Sequence, residues 1–377
     1  MRILIDGRMI LPTMTGIGRY LLGLCRGLEK LESDFSFELW LGANLPAGHP
    51  ANKLGGNRIK LHLVSIPKMS LAGHVRLPFE LARQKADLIH YPHFDLPLGM
   101  PGPLVSTIHD LKYIARPDFF PHLDLVKRQV IQFLTRYTCY RSRQIICVSQ
   151  STADDLHNLL GIPREKLRVV PHGVDDHFFR KRSKDELQDF RIRHHLEEPF
   201  LFFVGERRPH KNIPNLIRAF KEFQSLDHSD FQLVIAGKSY ADYGAPEHIA
   251  RELGLDGSVR FLGYVPDAEL PYYYQSAAAF VFLSYYEGFG LPVLEAMASG
   301  TPVVASDCTS LPEVAGGAGL LVPPDQPGRA AQAILEVAHP GATRDRCIEQ
   351  GEERARSFTW ERCATLTHQV YAEAMEK

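Results

Sequence analysis

The sequence lacks any unbroken apolar run near the ~18 residues that a membrane-spanning helix needs, which excludes a helical membrane bundle. It lacks C-x-x-C pairs and zinc-finger spacing, and its six cysteines (Cys25, Cys139, Cys147, Cys308, Cys347, Cys363) are scattered. Reduced, buried thiols are therefore expected, rather than a disulfide framework or a structural zinc. D-x-D does not occur, nor does any His/Asp/Glu cluster at metal-ligand spacing, so no metal and no resident cofactor is expected. There is no dense Lys/Arg run and no aromatic-interleaved basic motif, which argues against nucleic acid as a partner. Tandem repeats and low-complexity tracts are also missing. In the opening segment MRILIDGRMI, Asp6 interrupts before a signal-peptide apolar core could form. The segment reads as the buried first strand of a cytoplasmic protein.

What is present is an ordinary globular composition. Hydrophobic residues make up 45% and charged residues 23% of 377 residues, which rules out wholesale disorder and collagen. At roughly 100–200 residues per domain, two or three domains are expected. The net charge of −1 hides an asymmetry. Residues 1–172 hold 22 basic and 14 acidic residues, a balance of +8, and the remainder holds 21 and 30, a balance of −9. A basic half can attract an anionic partner such as a phosphorylated lipid or an anionic membrane surface.

Short apolar, β-branched runs bounded by turn formers read as strands at 3–5, 37–41, 59–66, 87–92, 104–110, 144–149 and 167–173. Helical patterns lie at 18–31, 123–140 and 151–160. In the last, Ser151 precedes the helix and Asp154–Asp155 fall in its first turn. The charged, apolar-poor stretch 175–199 suits a linker plus a surface helix. The pattern then restarts, with strands at 200–205, 231–237, 258–265, 278–284, 301–306 and 318–324. Helices at 212–223, 246–253, 266–276, 291–299 and 328–338 fill the gaps. Continuous apolar strands separated by helices imply a parallel sheet covered on both faces. Two such series imply an α/β fold of two Rossmann-like domains facing across a cleft, with ligands at the carboxyl ends of the strands. The expected limits are 1–174, 175–356 and a terminal amphipathic helix at 357–377.

The most informative segment is Ser284-Tyr-Tyr-Glu287-Gly-Phe-Gly-Leu-Pro-Val-Leu-Glu295. It comes after an apolar strand and opens a helix. Gly288 and Gly290 let the backbone approach a ligand, and the amides of Gly290 and Leu291 can hold a phosphate. Pro292 fits the first helical turn. Glu287 and Glu295 are carboxylates that accept hydrogen bonds from hydroxyls, so a sugar and a ribose are natural ligands.

This stretch resembles the E-x7-E signature of the retaining glycosyltransferases of family 4, which have the GT-B fold. SGTPVVAS (299–306) and LPEVAGGAG (311–319) are similar to the family's segments downstream of that signature. The likeness extends to a tail, starting at FTWERC, that crosses back to the first domain. The resemblance implies that Glu287 contacts the donor sugar and Glu295 the ribose. It also implies that the amides of Phe289, Gly290 and Leu291 contact the diphosphate.

Other motifs are read beside it. VGERRPHKNIPNLIRAF (204–220) places Arg207, Arg208 and Lys211 between a strand and a helix, where cations can neutralise a diphosphate leaving group. The family pattern puts arginine where this chain has Glu206, so Arg207 or Arg208 is the expected substitute, with Lys211 in register. MTGIGRYLLGLCRGL (14–28) is a glycine loop opening a helix, but Leu21 stands where a dinucleotide fold needs its third glycine. It is similar to the family's first-domain loop, which gives Gly16 and Gly18 to the donor and Arg19 to the acceptor. STIHDLKY (106–113) carries the family's HD pair. By that likeness His109 contacts the donor sugar near the reacting carbon, and Asp110 faces the acceptor. The loop 263–266 resembles the base-binding loop, where backbone near Val265 reads the nucleobase. Ser149 or Ser151 is expected to cap a helix, and the role of His172 is open.

The sequence thus points to transfer of a hexose from a nucleotide sugar to a glycan or polyprenyl-diphosphate-linked acceptor, with retention and without a metal. Likeness to O-antigen and exopolysaccharide mannosyltransferases favours GDP-mannose, with UDP-glucose and dTDP-rhamnose as alternatives. In that setting the enzyme would be peripheral at the inner face of the membrane. A nucleotide-sugar epimerase or phosphorylase, or a non-catalytic sugar-nucleotide binder, are the competing classes.

Overall fold

The computed structural model describes every residue except Asn57, Met69, Ser229, Ala241, Asp242 and Lys377. The described residues divide into two units, Met1–Gly173 with Phe358–Lys377, and Val174–Ser357.

The first unit is built on seven strands: β1 (Arg2–Asp6), β2 (Ser36–Gly42), β3 (Ile59–Val64), β4 (Leu88–Tyr91), β5 (Leu104–Ile108), β6 (Gln144–Cys147) and β7 (Leu167–Val169). They form one sheet in the order β3-β2-β1-β4-β5-β6-β7, with parallel pairing. The second unit has β8 (Phe200–Val204), β9 (Gln232–Ala236), β10 (Val259–Phe261), β11 (Ala279–Phe282), β12 (Val303–Ser306) and β13 (Leu320–Val322). Its order is β10-β9-β8-β11-β12-β13, again parallel. Central strands such as FLFFV and AFVF are buried almost throughout because helices cover both faces.

Each sheet reverses its strand order once, between β1 and β4 and between β8 and β11. Loops leaving the carboxyl ends of such a strand pair diverge and leave room for a ligand.

The last helix, Trp360–Glu376, belongs to the first unit and lies on the helix Gly16–Lys30. Glycine at position 23 is what allows the contact, since a Cβ there would come within 2.1 Å of the Trp360 ring.

Several elements depart from the sequence expectations. The helix Gln150–Leu160 is capped, as expected of one of the two serines, by Ser149, whose hydroxyl accepts from Thr152 N at 3.0 Å, but not by Ser151. Ser151 lies inside it, and Asp154–Asp155 stand beyond its first turn. The strand expected at 258–265 ends at Phe261, and the helix expected from 266 begins at Leu270. The helix Leu71–Gln84 has no counterpart among the expected helices, because Pro78 sits within it and Leu71, Val75 and Phe79 face solvent. The helix Ala342–Arg356 buries only Cys347, Gly351 and Ala355, so it lacks large apolar residues at helical spacing.

Candidate functional site

The strand-order reversal of the second sheet brings two loops together. The segment after β8 and the segment after β11 are joined by a backbone hydrogen bond from Tyr285 N to His210 O, 2.8 Å. Beside it, Lys211 Nζ donates to Glu287 Oε1 at 2.6 Å. The two side chains are 16% and 12% exposed, so the pair sits at the edge of solvent, partly desolvated. Lys211 also lies 5.3 Å from the Phe282 ring centroid, which adds cation–π attraction.

Residues without any periodic signature hold this arrangement. Asn212 adopts the left-handed conformation (φ 56°), tolerated by asparagine better than by most residues. Its Nδ2 donates to Leu283 O at 2.9 Å and to Pro324 O at 2.6 Å, tying three loops together. From beyond β12, Thr309 Oγ1 accepts from Glu287 N at 3.2 Å. Ser310 Oγ donates to Glu287 O at 3.0 Å and Phe289 O at 2.7 Å. The sequence reading missed Asn212, Thr309 and Ser310. An asparagine directly before a helix start that carries proline in its first turn is the one sequence signal that could have flagged Asn212.

Gly288 and the buried Phe289 continue this loop, and Gly290 ends it at φ 114°, where a side chain would be strained. The helix Leu291–Ala298 comes next. In it Glu295 is 2% exposed, and Tyr274 OH donates to its Oε2 at 2.9 Å. Val265 is buried in the loop beyond β10, where Gly237 N donates to Gly263 O at 3.0 Å.

The arginines make contacts of their own. Arg207 is buried, ion-paired with Glu247, and 5.3 Å from the Phe261 ring centroid. Arg208 stacks on Tyr240 at 3.3 Å, and Glu206 accepts from the Tyr240 hydroxyl at 3.0 Å. Arg207 is thus paired with Glu247, as Lys211 is with Glu287, and Lys211 is the cation the fold sets beside Glu287.

In the first unit, Thr15 Oγ1 caps the helix Gly16–Lys30 by accepting from Gly18 N at 3.2 Å. Gly16 is exposed, and a Cβ there would meet nothing within 4 Å. Arg19 lies in the first turn and is half-buried. His109 and Asp110 come directly after β5. Asp110 bonds Lys112 Nζ at 3.2 Å. Burial alone would raise the Asp110 pKa, but Lys112 overrides it and holds the carboxyl below its usual value. Burial, reinforced by His93, pushes the His109 imidazole down to about 3, against Asp110 and a hydrogen bond to the Pro92 backbone. A neutral imidazole donates from one nitrogen only. Nε2 is buried and has no hydrogen-bond partner within the chain.

The reversal point of the first sheet is filled by charge that the sequence reading did not single out. Arg8 Nε donates to Asp6 Oδ1 at 2.8 Å and Nη2 to Asp6 Oδ2 at 2.7 Å, a two-pronged pair with both side chains 3% exposed. Lys68 bonds both Tyr91 OH and Asp95, and His93 Nδ1 bonds Asp95 at 2.5 Å. Asp6–Arg8 had a signal, opposite charges straddling Gly7 at the end of a strand; Lys68 is too far in sequence from Tyr91 and Asp95 to show one.

His90 gives a test of this interior. It is fully buried, and burial pushes its imidazole down from 6.5 to about 3. On acidification the unfolded chain takes up this proton first. The His90 contribution to stability is therefore complete above about pH 6.5 and is lost as pH falls towards 3. Between pH 7 and 5 the expected loss is about 2 kcal/mol, with His109 and His172 acting in the same direction. Asp6, held low by Arg8 against its burial, loses its contribution only below about pH 4. Urea unfolding at pH 7, 6 and 5 checks this: the slope should shrink in His90→Gln, and equal slopes would contradict it.

Among the described residues, no group of three or more His, Cys, Asp or Glu side chains is placed to hold a metal ion. No helix among them is long and apolar enough to cross a membrane.

Comparison with known proteins agrees with this architecture. Residues 14–178 match the family model described as Glycosyltransferase Family 4, and residues 184–354 match Glycosyl transferases group 1. The chain is 29% identical to O-antigen chain mannosyltransferase B of Escherichia coli, over 98% of this chain and 99% of that protein. It is 32% identical to an uncharacterised glycosyltransferase of Methanocaldococcus jannaschii, over 73% of this chain and 70% of that one. In fold it is similar to sucrose-phosphate synthase from Thermosynechococcus elongatus, with a TM-score of 0.76 at 21% identity over 98% of both chains. With family models matched over 14–178 and 184–354 and relatives matched over most of its length, the chain belongs to the glycosyltransferases of family 4.

Proposed function

We propose that the protein is a retaining mannosyltransferase that uses GDP-mannose without a metal and serves cell-surface polysaccharide synthesis. Its acceptor would be a hydroxyl of a glycan or of a polyprenyl-diphosphate-linked sugar. The observation that carries this reading is the Lys211–Glu287 pair at the reversal point of the second sheet. It sets a cation for a diphosphate beside a carboxylate for sugar hydroxyls. The choice of mannose rests on the likeness to the Escherichia coli mannosyltransferase.

In this reading Lys211 neutralises the charge that grows on the leaving phosphate as the glycosidic bond breaks. Glu287 accepts from the donor hydroxyls, Glu295 from the ribose, and the amides of Phe289, Gly290 and Leu291 meet the diphosphate. Backbone near Val265 reads the base. His109 offers Nε2 to a hydroxyl of the donor sugar. At pH 7 it is neutral, which suits an acceptor of a hydrogen bond. The acceptor hydroxyl attacks an oxocarbenium-like carbon from the face the phosphate leaves, and the phosphate oxygen takes the acceptor proton. The new bond then keeps the donor's configuration.

The test needs no acceptor. The protein is incubated with GDP-mannose, UDP-glucose or dTDP-rhamnose in EDTA, and slow donor hydrolysis is monitored by proton NMR. The expected result is cleavage of GDP-mannose with α-mannose released first. Release of β-mannose, or cleavage only with added magnesium, would overturn the reading. Preference for another donor would replace mannose and leave the rest standing.

A membrane surface is the expected site of work. Leu71, Val75 and Phe79 are exposed at four-residue spacing on one helix. Val126, Val130, Phe133 and Tyr140 form an exposed stripe on the helix Leu125–Arg141. Arg76 and Arg83 on the first helix, and Lys127 and Arg136 on the second, flank these stripes. Apolar faces edged by cations suit an anionic lipid surface. Flotation with phosphatidylglycerol-containing vesicles should recover the protein, while neutral vesicles recover less. Phe79→Ser with Val130→Ser should reduce recovery. Absence from both kinds of vesicle would count against membrane docking.

A further inference from the structure

Four side chains from four separate segments form one hydrogen-bonded chain inside the first unit. Tyr371 OH, on the C-terminal helix, lies 2.7 Å from His90 Nδ1 on β4. His90 Nε2 lies 2.7 Å from Thr107 Oγ1 on β5. Thr107 Oγ1 lies 3.0 Å from Tyr20 OH. All four residues are 0% exposed. Apolar side chains of the same shape would serve stability about as well, because a buried hydrogen bond yields little net free energy while an unmade one is costly. A fully buried polar chain mainly fixes orientation.

The chain ends against His109. The Tyr20 ring meets the His109 imidazole edge-on, with centroids 4.9 Å apart at 76°. The same ring meets His172 at 4.9 Å. The two imidazoles are 5.6 Å apart. Trp360, on the same helix as Tyr371, lies 6.1 Å from His172. Thr107 lies on β5, and His109 follows directly after that strand, two residues further on. His90 is neutral and bonded at both nitrogens, so it donates at one and accepts at the other. Each link thereby fixes the next.

We infer that Tyr371, His90, Thr107 and Tyr20 are positioning residues, through which the C-terminal helix holds the His109 imidazole in the orientation that sugar transfer uses. This rests on the reading of His109 as a contact to the donor sugar. The helix that ends the chain is then part of the support of the reacting centre as well as a cover for the sheet.

The test is a set of double-mutant cycles on the full chain, with GDP-mannose cleavage as readout. Thr107→Val keeps the side-chain shape and deletes the hydroxyl, whereas Thr107→Ser keeps the hydroxyl. Tyr371→Phe removes the far end of the chain. Thr107→Val and Tyr371→Phe are expected to lower kcat about 10-fold, with KM within about twofold. Thr107→Ser should remain near wild type. In a His109→Ala background, neither Thr107→Val nor Tyr371→Phe should lower kcat further. Melting curves select variants that remain folded at the assay temperature.

Equal fold-losses in the wild-type and His109→Ala backgrounds would overturn the inference and leave the His109 reading standing. Wild-type kcat in His109→Ala alone would sink that reading, and the inference with it. Full activity in Thr107→Val would also overturn the inference, since the chain would be broken without effect.

Discussion

Lys211→Ala is expected to lower kcat by about 10²- to 10³-fold, the loss seen when one preorganised charge partner of a transition state is deleted. The reason lies in its setting. Lys211 is largely shielded from water, and Glu287 and the Phe282 ring hold it in place. Its charge therefore acts through a lower dielectric than a surface lysine would feel. Charge on the leaving phosphate increases as the bond to the sugar breaks, so kcat should fall further than KM rises. Lys211→Arg should restore only part of the rate, because a planar fork does not replace a compact ammonium. Glu287→Gln keeps the size and one acceptor but loses the charge, and should weaken donor hydroxyl binding. If Lys211→Ala retained more than half of wild-type kcat, the diphosphate would have to be neutralised elsewhere. Steady-state cleavage of GDP-mannose in EDTA decides this.

The largest effect on stability is expected at Asp6–Arg8. This pair is buried at the carboxyl end of β1, at the reversal point of the first sheet. Arg8→Met leaves the Asp6 carboxylate buried without its main partner and should cost about 3–5 kcal/mol. The double variant Asp6→Leu with Arg8→Met removes both charges and should recover most of that loss, since well-packed apolar residues often replace a buried pair without penalty. Urea unfolding of the full chain, read at the transition of the first unit, measures both. A single-variant loss below about 1 kcal/mol would mean that water or Lys68 compensates Asp6 far better than the geometry indicates.

Legibility from sequence tracked the physics of each element. Strands such as FLFFV and AFVF are continuous apolar runs because they are covered on both faces, so local sequence reveals them. The helix Leu71–Gln84 was opaque, since its apolar residues are divided between the core (Leu77, Leu81) and solvent, and Pro78 argues against a helix. The helix Ala342–Arg356 was opaque because it packs through small residues. At the candidate site, the loops carrying Lys211 and Glu287 were each visible as strand–loop–helix motifs. Their ion pair spans 76 residues and needed the sheet order to appear. The neutralisation of Arg207 by Glu247 was likewise invisible, because nothing in a cluster of cations tells which of them is already paired. Asn212, Thr309 and Ser310 act through hydrogen bonds to backbone groups distant in sequence, which leave no spacing to detect.

The central claim is that Lys211 holds the diphosphate of a guanine nucleotide without help from a metal. Isothermal titration of GDP and UDP in EDTA, on the wild type and on Lys211→Ala, tests it most directly. GDP is expected to bind the wild type at least about 10-fold more tightly than UDP, a difference of about 1.4 kcal/mol, and Lys211→Ala should lose most of that GDP affinity. Equal GDP affinity in the two proteins, or binding that appears only when magnesium is added, would contradict the claim.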